Sequence, residues 1–403
     1  MPTVIYVGKN QIGMGTGRNW GFGGMFAEER VQKGRQEELD VVRGLSVFLM
    51  VGSHVFNQFT PLAQDDVPAD GFFDQVSKLI GAFPGGAQCF MMVMGMLILF
   101  STSTTASKLI KRGLILIVAG FILEFLRIFP GIVNMWITGD LVSFYPEYSY
   151  ATNDQLIMIT LFWQDILIFA GMALAFIGLI QKFNIPDIWL IVITAVMMTS
   201  TIFLSGMDTG NDALNILLGY FWGTTVFDGF MTTSRFPMFS WIVYPVFGYL
   251  VAKYLVRALD KDAFYKRLGL WCLVLSIPLF IIGLFTGMFD SGFTGIDYYH
   301  QKPLVQTWCT LLAFDWIVFM YLLTKKVPRK YFWPFRRWSR NITYIYVLHF
   351  VILAVAIQVM PRSFDIAGCI VIFLVLMFVV DQLAERIAAI RRGRRETAPT
   401  QEA

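Results

Sequence analysis

Charge is scarce in this chain. Asp, Glu, Lys and Arg make up 15% of its 403 residues, against about 25% in soluble domains, while 56% are hydrophobic. An ordinary soluble protein is excluded. Polar alternation is missing from runs such as GMALAFIGLI, LWCLVLSIPLFIIGLF and CIVIFLVLMFVV, and strands of a membrane β-barrel would alternate in segments of about ten residues. Residues 1–40 lack an apolar h-region and a cleavage-site pattern, so no signal peptide is expected and the first hydrophobic helix has to direct insertion. The four cysteines, Cys89, Cys272, Cys309 and Cys369, fall in or beside apolar runs without ligand-like spacing; neither a disulfide nor a metal site is inferred. No repeat at a fixed period and no long polar linker divides residues 41–390, which are expected to form one membrane domain.

What is present is a series of apolar stretches long enough to cross a bilayer, for which about 20 residues are needed. They lie near 41–60, 83–101, 109–129, 160–181, 187–205, 236–256, 268–288, 304–324, 342–360 and 365–386. The expected fold is all-α, with about ten transmembrane helices around a central cavity. Residues 1–40 read as a flexible Gly-rich lead-in (GMGTGRNWGFGG) followed by an amphipathic surface segment, VQKGRQEELD. Residues 391–403 read as a tail.

The charges set the expected topology. Lys108, Lys111 and Arg112, then Lys182, then Lys253, Arg257, Lys261, Lys266 and Arg267, then KKVPRKYFWPFRRWSR and the terminal RRGRR all fall on one side if the N-terminus is cytoplasmic. The other side receives acids: Asp65, Asp66, Asp70 and Asp74; Asp140, Glu147 and Asp154; Asp208, Asp212 and Asp228; Asp290 and Asp297. Both termini are therefore expected in the cytoplasm of a cell-membrane protein. ALNILLGYFWG (213–223) is apolar but too short to cross, and reads as a re-entrant or interfacial piece.

The first span, LDVVRGLSVFLMVGSHVFNQF, carries a His deep in an apolar helix, a costly placement that marks a functional candidate. Arg43 and His54 are eleven residues apart, three turns plus roughly 20°, so they share a face about 16 Å apart. Asp40, Ser46, Met50 and Asn57 lie near the same stripe. The stripe suits a ligand with an anionic end at the headgroup level and a reactive end in the membrane. His349, in the ninth span after Tyr344 and Tyr346, lies at a depth that brings it near His54; packing and a catalytic role are both open. His300, in FTGIDYYHQK, reads as a solvated loop residue. Glu124 and Arg127, at i and i+3 near the outer end of the third span, suit an ion pair or an acceptor clamp. Asp165, in FWQDILIF, suits a sugar hydroxyl or a His partner, and Asp315, in FDWIVF, sits deeper.

Three motifs carry a family resemblance. LDVVRGLSVFLMVGSH combines a D-x-x-R-G-L opening with an Arg, ten residues, His spacing; SRFPMFSWIVYPVFGYLVAKYL looks like an F-P element followed by a late Gly; SRNITYIYVLHFVIL looks like an N-x-x-x-x-Y-hydrophobic-hydrophobic-H span. Together they resemble the transmembrane acyltransferases, comprising the family 3 O-acyltransferases and the heparan-glucosaminide N-acetyltransferase-like proteins, across about residues 40–390. The resemblance implies transfer of an acyl group, acetyl in first place, from cytoplasmic acyl-CoA to a hydroxyl or amine of a carbohydrate or glycolipid acceptor on the outer face. On that reading Arg43 holds a CoA phosphate, and His54 is a general base or an acyl-carrying nucleophile. His349 assists. Arg336, Arg337 and Arg340 add forked phosphate contacts, while their interleaved aromatics suit lipid headgroups rather than nucleic acid. Glu124, Arg127, Asp165 and Asp315 are the substrate-binding candidates. The rival reading is a proton-coupled carrier or channel, which would also need intramembrane His, Asp and Glu.

Overall fold

The computed structural model describes residues 24–60, 85–101, 105–142, 151–227, 230–287 and 298–396. Most of the Gly-rich lead-in, the acidic positions Asp65, Asp66, Asp70, Asp74, Glu147, Asp228, Asp290 and Asp297, and residues 397–403 lie outside them. In chain order the helices are α1 (Glu37–Phe59), α2 (Ala87–Phe100), α3 (Ala106–Thr138), α4 (Asn153–Leu161), α5 (Ile166–Lys182), α6 (Asp187–Leu204), α7 (Asp212–Trp222), α8 (Met238–Leu255), α9 (Lys261–Thr286), α10 (Pro303–Lys326), α11 (Trp333–Arg340), α12 (Ile342–Ala356) and α13 (Ile366–Glu396). Between α7 and α8 a short antiparallel hairpin pairs β1 (Thr224–Phe227) with β2 (Phe230–Thr233).

Eight of the described helices are long and apolar enough to cross a membrane, or nine if residues 329–340 and α12, bent by 73°, make one span. The chain is a multi-pass membrane protein. The expected count of ten exceeds this by α2, whose 14 residues extend about 21 Å, short of the roughly 30 Å of a hydrocarbon core. Its place is interior, against α1, α8 and α10. With 11 residues α7 is too short to cross. By contrast α6, α9 and α13 leave long apolar faces exposed, among them Ile202, Phe203, Leu284, Phe285, Val371 and Phe378, as suits helices against lipid.

Other boundaries differ from the expected ones. Residues 31–36 are not an amphipathic helix. With Gly34 at φ 77°, the stretch runs beside the end of α8, where Ala27 N–H donates to Arg257 O, Val31 N–H to Val256 O and Leu259 N–H to Met25 O. The helix begins at Glu37, where Glu37, Glu38 and Asp40 complement the positive helix start. The expected fourth span is two helices broken at residues 162–165, and the expected tail begins within α13. Packing is closest where glycines meet backbone: a Cβ at Gly44 would collide with the carbonyl of Phe335, and one at Gly113 with the carbonyl of Gly171. These approaches set α1 against α11 and α3 against α5.

Candidate active site

Acids of the first turn of α1 meet cations from four other segments at one end of the bundle. Lys261 pairs with Glu38 at 2.7 Å, Arg329 with Glu37 at 3.0 Å, and Arg35 with Asp40. Arg43 donates from Nε to Ser339 Oγ (2.9 Å) and from Nη2 to Ser339 O (2.8 Å), while Ser339 Oγ donates to Asp40 Oδ1 (2.9 Å). Arg43 thus fastens α1 to the bent α11–α12 pair. Of the three expected phosphate ligands on α11, Arg336 lies 3.7 Å from Glu37 and Arg337 2.9 Å from Asp381. Arg340 is exposed and has neither ion pair nor hydrogen bond among the described residues.

Further along the same face, His54 meets α12. Its ring centroid lies 5.5 Å from that of His349 and 4.6 Å from Phe350. The two histidines differ in access: His349 is fully buried and His54 partly buried. His349 Nδ1 lies 3.0 Å from the carbonyl of Ile345. A carbonyl only accepts, so Nδ1 carries the proton and Nε2 is the free lone pair. Among the described residues that Nε2 has no hydrogen-bond partner. Of the other stripe residues, Ser46 donates to Gly85 O (2.7 Å) beside α2 and Asn57 is exposed.

Glu124, Arg127 and Asp165 join this centre. Arg127 Nη1 donates to Glu124 Oε1 (3.0 Å) and to Asp165 Oδ2 (3.2 Å), and the guanidinium carbon sits 4.3 Å over the Phe350 ring that touches both histidines. Asp165 also accepts from Tyr346 Oη (2.5 Å) and from Ile166 N, capping α5. The expectation placed Glu124 near the end of its span; α3 runs nine residues past the expected limit of 129, which leaves Glu124 near mid-helix. One cluster stands where two separate groups were expected. Asp315 is not brought to it. It lies half-buried on α10, which packs against α9, and among the described residues its Oδ2 has no hydrogen-bond partner.

Sequence reasoning passed over Trp163, Arg235, Ser339 and Phe350. Trp163 lies in the α4–α5 break, 5.5 Å from Arg127 and 3.7 Å from Arg235. A usable signal existed: Arg127 is the only Lys or Arg between Arg112 and Lys182, and Arg235 the only one between Lys182 and Lys253. His300, expected in solvent, is half-buried with Nε2 2.7 Å from Ser234 O.

The arrangement offers a partly buried imidazole backed by a second one of fixed tautomer, with cations beside it and an interior donor stripe leading from a basic end. Such a constellation can move a proton to or from a substrate hydroxyl, amine or thiol. A family model described as an acyltransferase domain matches residues 36–381. No curated protein matches the chain.

Proposed function

Since the chain belongs to the acyltransferase family whose domain model covers residues 36–381, we propose that it transfers an acyl group, acetyl in first place, from acyl-CoA to a carbohydrate-type acceptor. The basic end faces the cytoplasm of a cell membrane, both termini included, and the acceptor arrives from the opposite side. The observation that carries this reading is the stripe on α1, with Arg43 at the basic end and His54 against His349. CoA phosphates meet Arg43 and Arg340. His54 accepts the proton of the acceptor hydroxyl or amine as that atom attacks the thioester carbon; the C–S bond then breaks and His54 returns the proton to the CoA sulfur. His349 positions His54 through its stacked ring. Arg127, held by Glu124 and Asp165, keeps Phe350 and the histidines in place. Lipid headgroups meet the aromatic and basic surface of α11, where Tyr331 and Trp333 are exposed.

The test is turnover of radiolabelled acetyl-CoA by the purified full-length protein in detergent. Time-dependent release of CoA is expected, lowered about 10²–10⁴-fold in His54→Ala, the usual cost of losing a general base. A folded His54→Ala protein that turns over at the wild-type rate removes the centre of the mechanism. Label retained on His54 after gel filtration would replace the general-base step by an acyl-imidazole. No interaction with acyl-CoA of any chain length would return the carrier reading.

A further inference from the structure

Arg235 follows the β-hairpin and precedes the Phe236–Pro237 entry to α8. Its guanidinium carbon stands 3.7 Å over the Trp163 indole and 5.7 Å from the Tyr299 ring. The residues on either side are anchored: Ser234 donates to Gln164 in the α4–α5 break, and Phe236 packs edge-on against Trp241 with centroids 4.7 Å apart. The side chain is half-buried, yet among the described residues it has no carboxylate partner and no hydrogen bond. Arg127, 5.5 Å from the same indole, has two carboxylates.

A cation partly withdrawn from water with no carboxylate in contact loses hydration, and contact with an indole face returns only about 0.5–2 kcal/mol. That contact occupies one face of a planar group. The five N–H donors point outward in its plane and remain unused. They form a fork suited to the paired oxygens of a carboxylate or phosphate. The fork also stands beside the reaction centre: the same indole lies 5.5 Å from Arg127, which sits 4.3 Å over the Phe350 ring that packs on His54.

We propose that Arg235 binds an oxyanion on the acceptor, a carboxylate or phosphate borne by the sugar or its lipid, and so selects acidic acceptors and holds them beside His54. This rests on the acyl-transfer reading above. The donor does not supply the anion: its phosphates belong at the basic end with Arg43, about 16 Å from His54 by helix rise, and the part of acyl-CoA around the thioester is uncharged.

Three probes matched in their alkyl chain test this on the full-length protein in an uncharged detergent: octyl glucuronide, octyl glucoside and octyl phosphate. Octyl glucuronide is expected to bind at least about tenfold tighter than octyl glucoside, the scale of one charge-assisted contact, with the preference shrinking as salt rises. Arg235→Gln should abolish the preference and Arg235→Lys should keep part of it. Octyl phosphate above octyl glucuronide assigns the oxyanion to phosphate; the reverse order assigns it to carboxylate. Equal binding of all three probes by the wild-type protein overturns the proposal, as does a preference that survives Arg235→Gln. If the Gln variant does not fold, the wild-type ranking and its salt dependence decide. Acyl-CoA binding and hydrolysis without acceptor are measured on the same wild-type preparation. Acyl-CoA binding or hydrolysis with no acidic preference removes the Arg235 assignment alone, whereas no interaction with acyl-CoA of any chain length removes the acyl-transfer reading.

Discussion

The two halves of α1 hold their charged neighbours in opposite ways. At the basic end each acid of the first turn has a cation: Glu37 has Arg329 and Arg336, Glu38 has Lys261, and Asp40 has Arg35 and Arg43. Those cations reach the surface, from 21% side-chain exposure at Lys261 to 67% at Arg329, over the buried Glu38 and Asp40; the more exposed Glu37 pairs contribute about 0–1 kcal/mol each. Their effect is to gather α9, α11 and the 329–332 turn around α1. Three turns further along, around His54, the groups are fewer and deeper. Arg127 serves two buried carboxylates, while among the described residues His349 Nε2 and the Arg235 guanidinium have no hydrogen-bond partner. Satisfied charges build the scaffold, and unsatisfied ones mark where a ligand belongs. On the proposed reading the interior cluster carries the chemistry, and most of the basic end carries the architecture.

The largest effect that would break this contrast is on stability. Arg127→Gln leaves Glu124 and Asp165 buried together without a cation, and removing one partner of a buried pair costs about 3–5 kcal/mol. Arg329→Gln leaves Glu37, a carboxylate 28% exposed that keeps Arg336 nearby, and should cost about 1 kcal/mol or less. Thermal unfolding of the two full-length variants in one detergent checks it; equal shifts would mean that the two regions do not differ. A smaller effect sharpens the picture within the cluster. Tyr346→Phe removes the hydroxyl from Asp165 but leaves Arg127 and Ile166 N in place, so a loss of about 1–2 kcal/mol is expected by the same assay. No loss would take Tyr346 out of the network.

What could be read from the sequence follows from the range of the physics. A bilayer imposes a length on every crossing, so the apolar runs located the helices. The Arg43–His54 face is a property of one helix and needs only its pitch; Glu124 and Arg127 likewise pair within one turn. The break at 162–165 was harder to see because FWQDILIF contains no Gly or Pro, although Asp165 is a residue type that caps helix starts. Contacts across the bundle had no local trace. Ser339 lies 296 positions from Arg43 and Phe350 more than 200 from Arg127, and nothing near either cation announces its partner. The short α2 was half legible: Gly85 and Gly86 stand just before Ala87, delaying a helix whose apolar composition alone suggested an earlier start.

The smallest expected effect concerns the three α11 arginines, alike in the sequence and unlike in the fold. Arg336 and Arg337 spend their forks on Glu37, Asp381 and Glu385, so a phosphate would have to displace a carboxylate to reach them. Arg340 is exposed with its fork open, and an exposed phosphate contact is weak because water and salt compete for it. Arg340→Ala should therefore raise the KM for acetyl-CoA severalfold, up to about tenfold for one charge-assisted bond, with kcat unchanged, since the contact is the same in ground and transition states. Arg336→Ala should leave KM within about twofold and lower the unfolding temperature slightly, by the worth of a surface pair. Steady-state kinetics on the two variants at low and high salt separates these outcomes. The reverse pattern, with KM following Arg336 rather than Arg340, would show that CoA displaces Glu37 and that the paired basic end is part of the donor site after all.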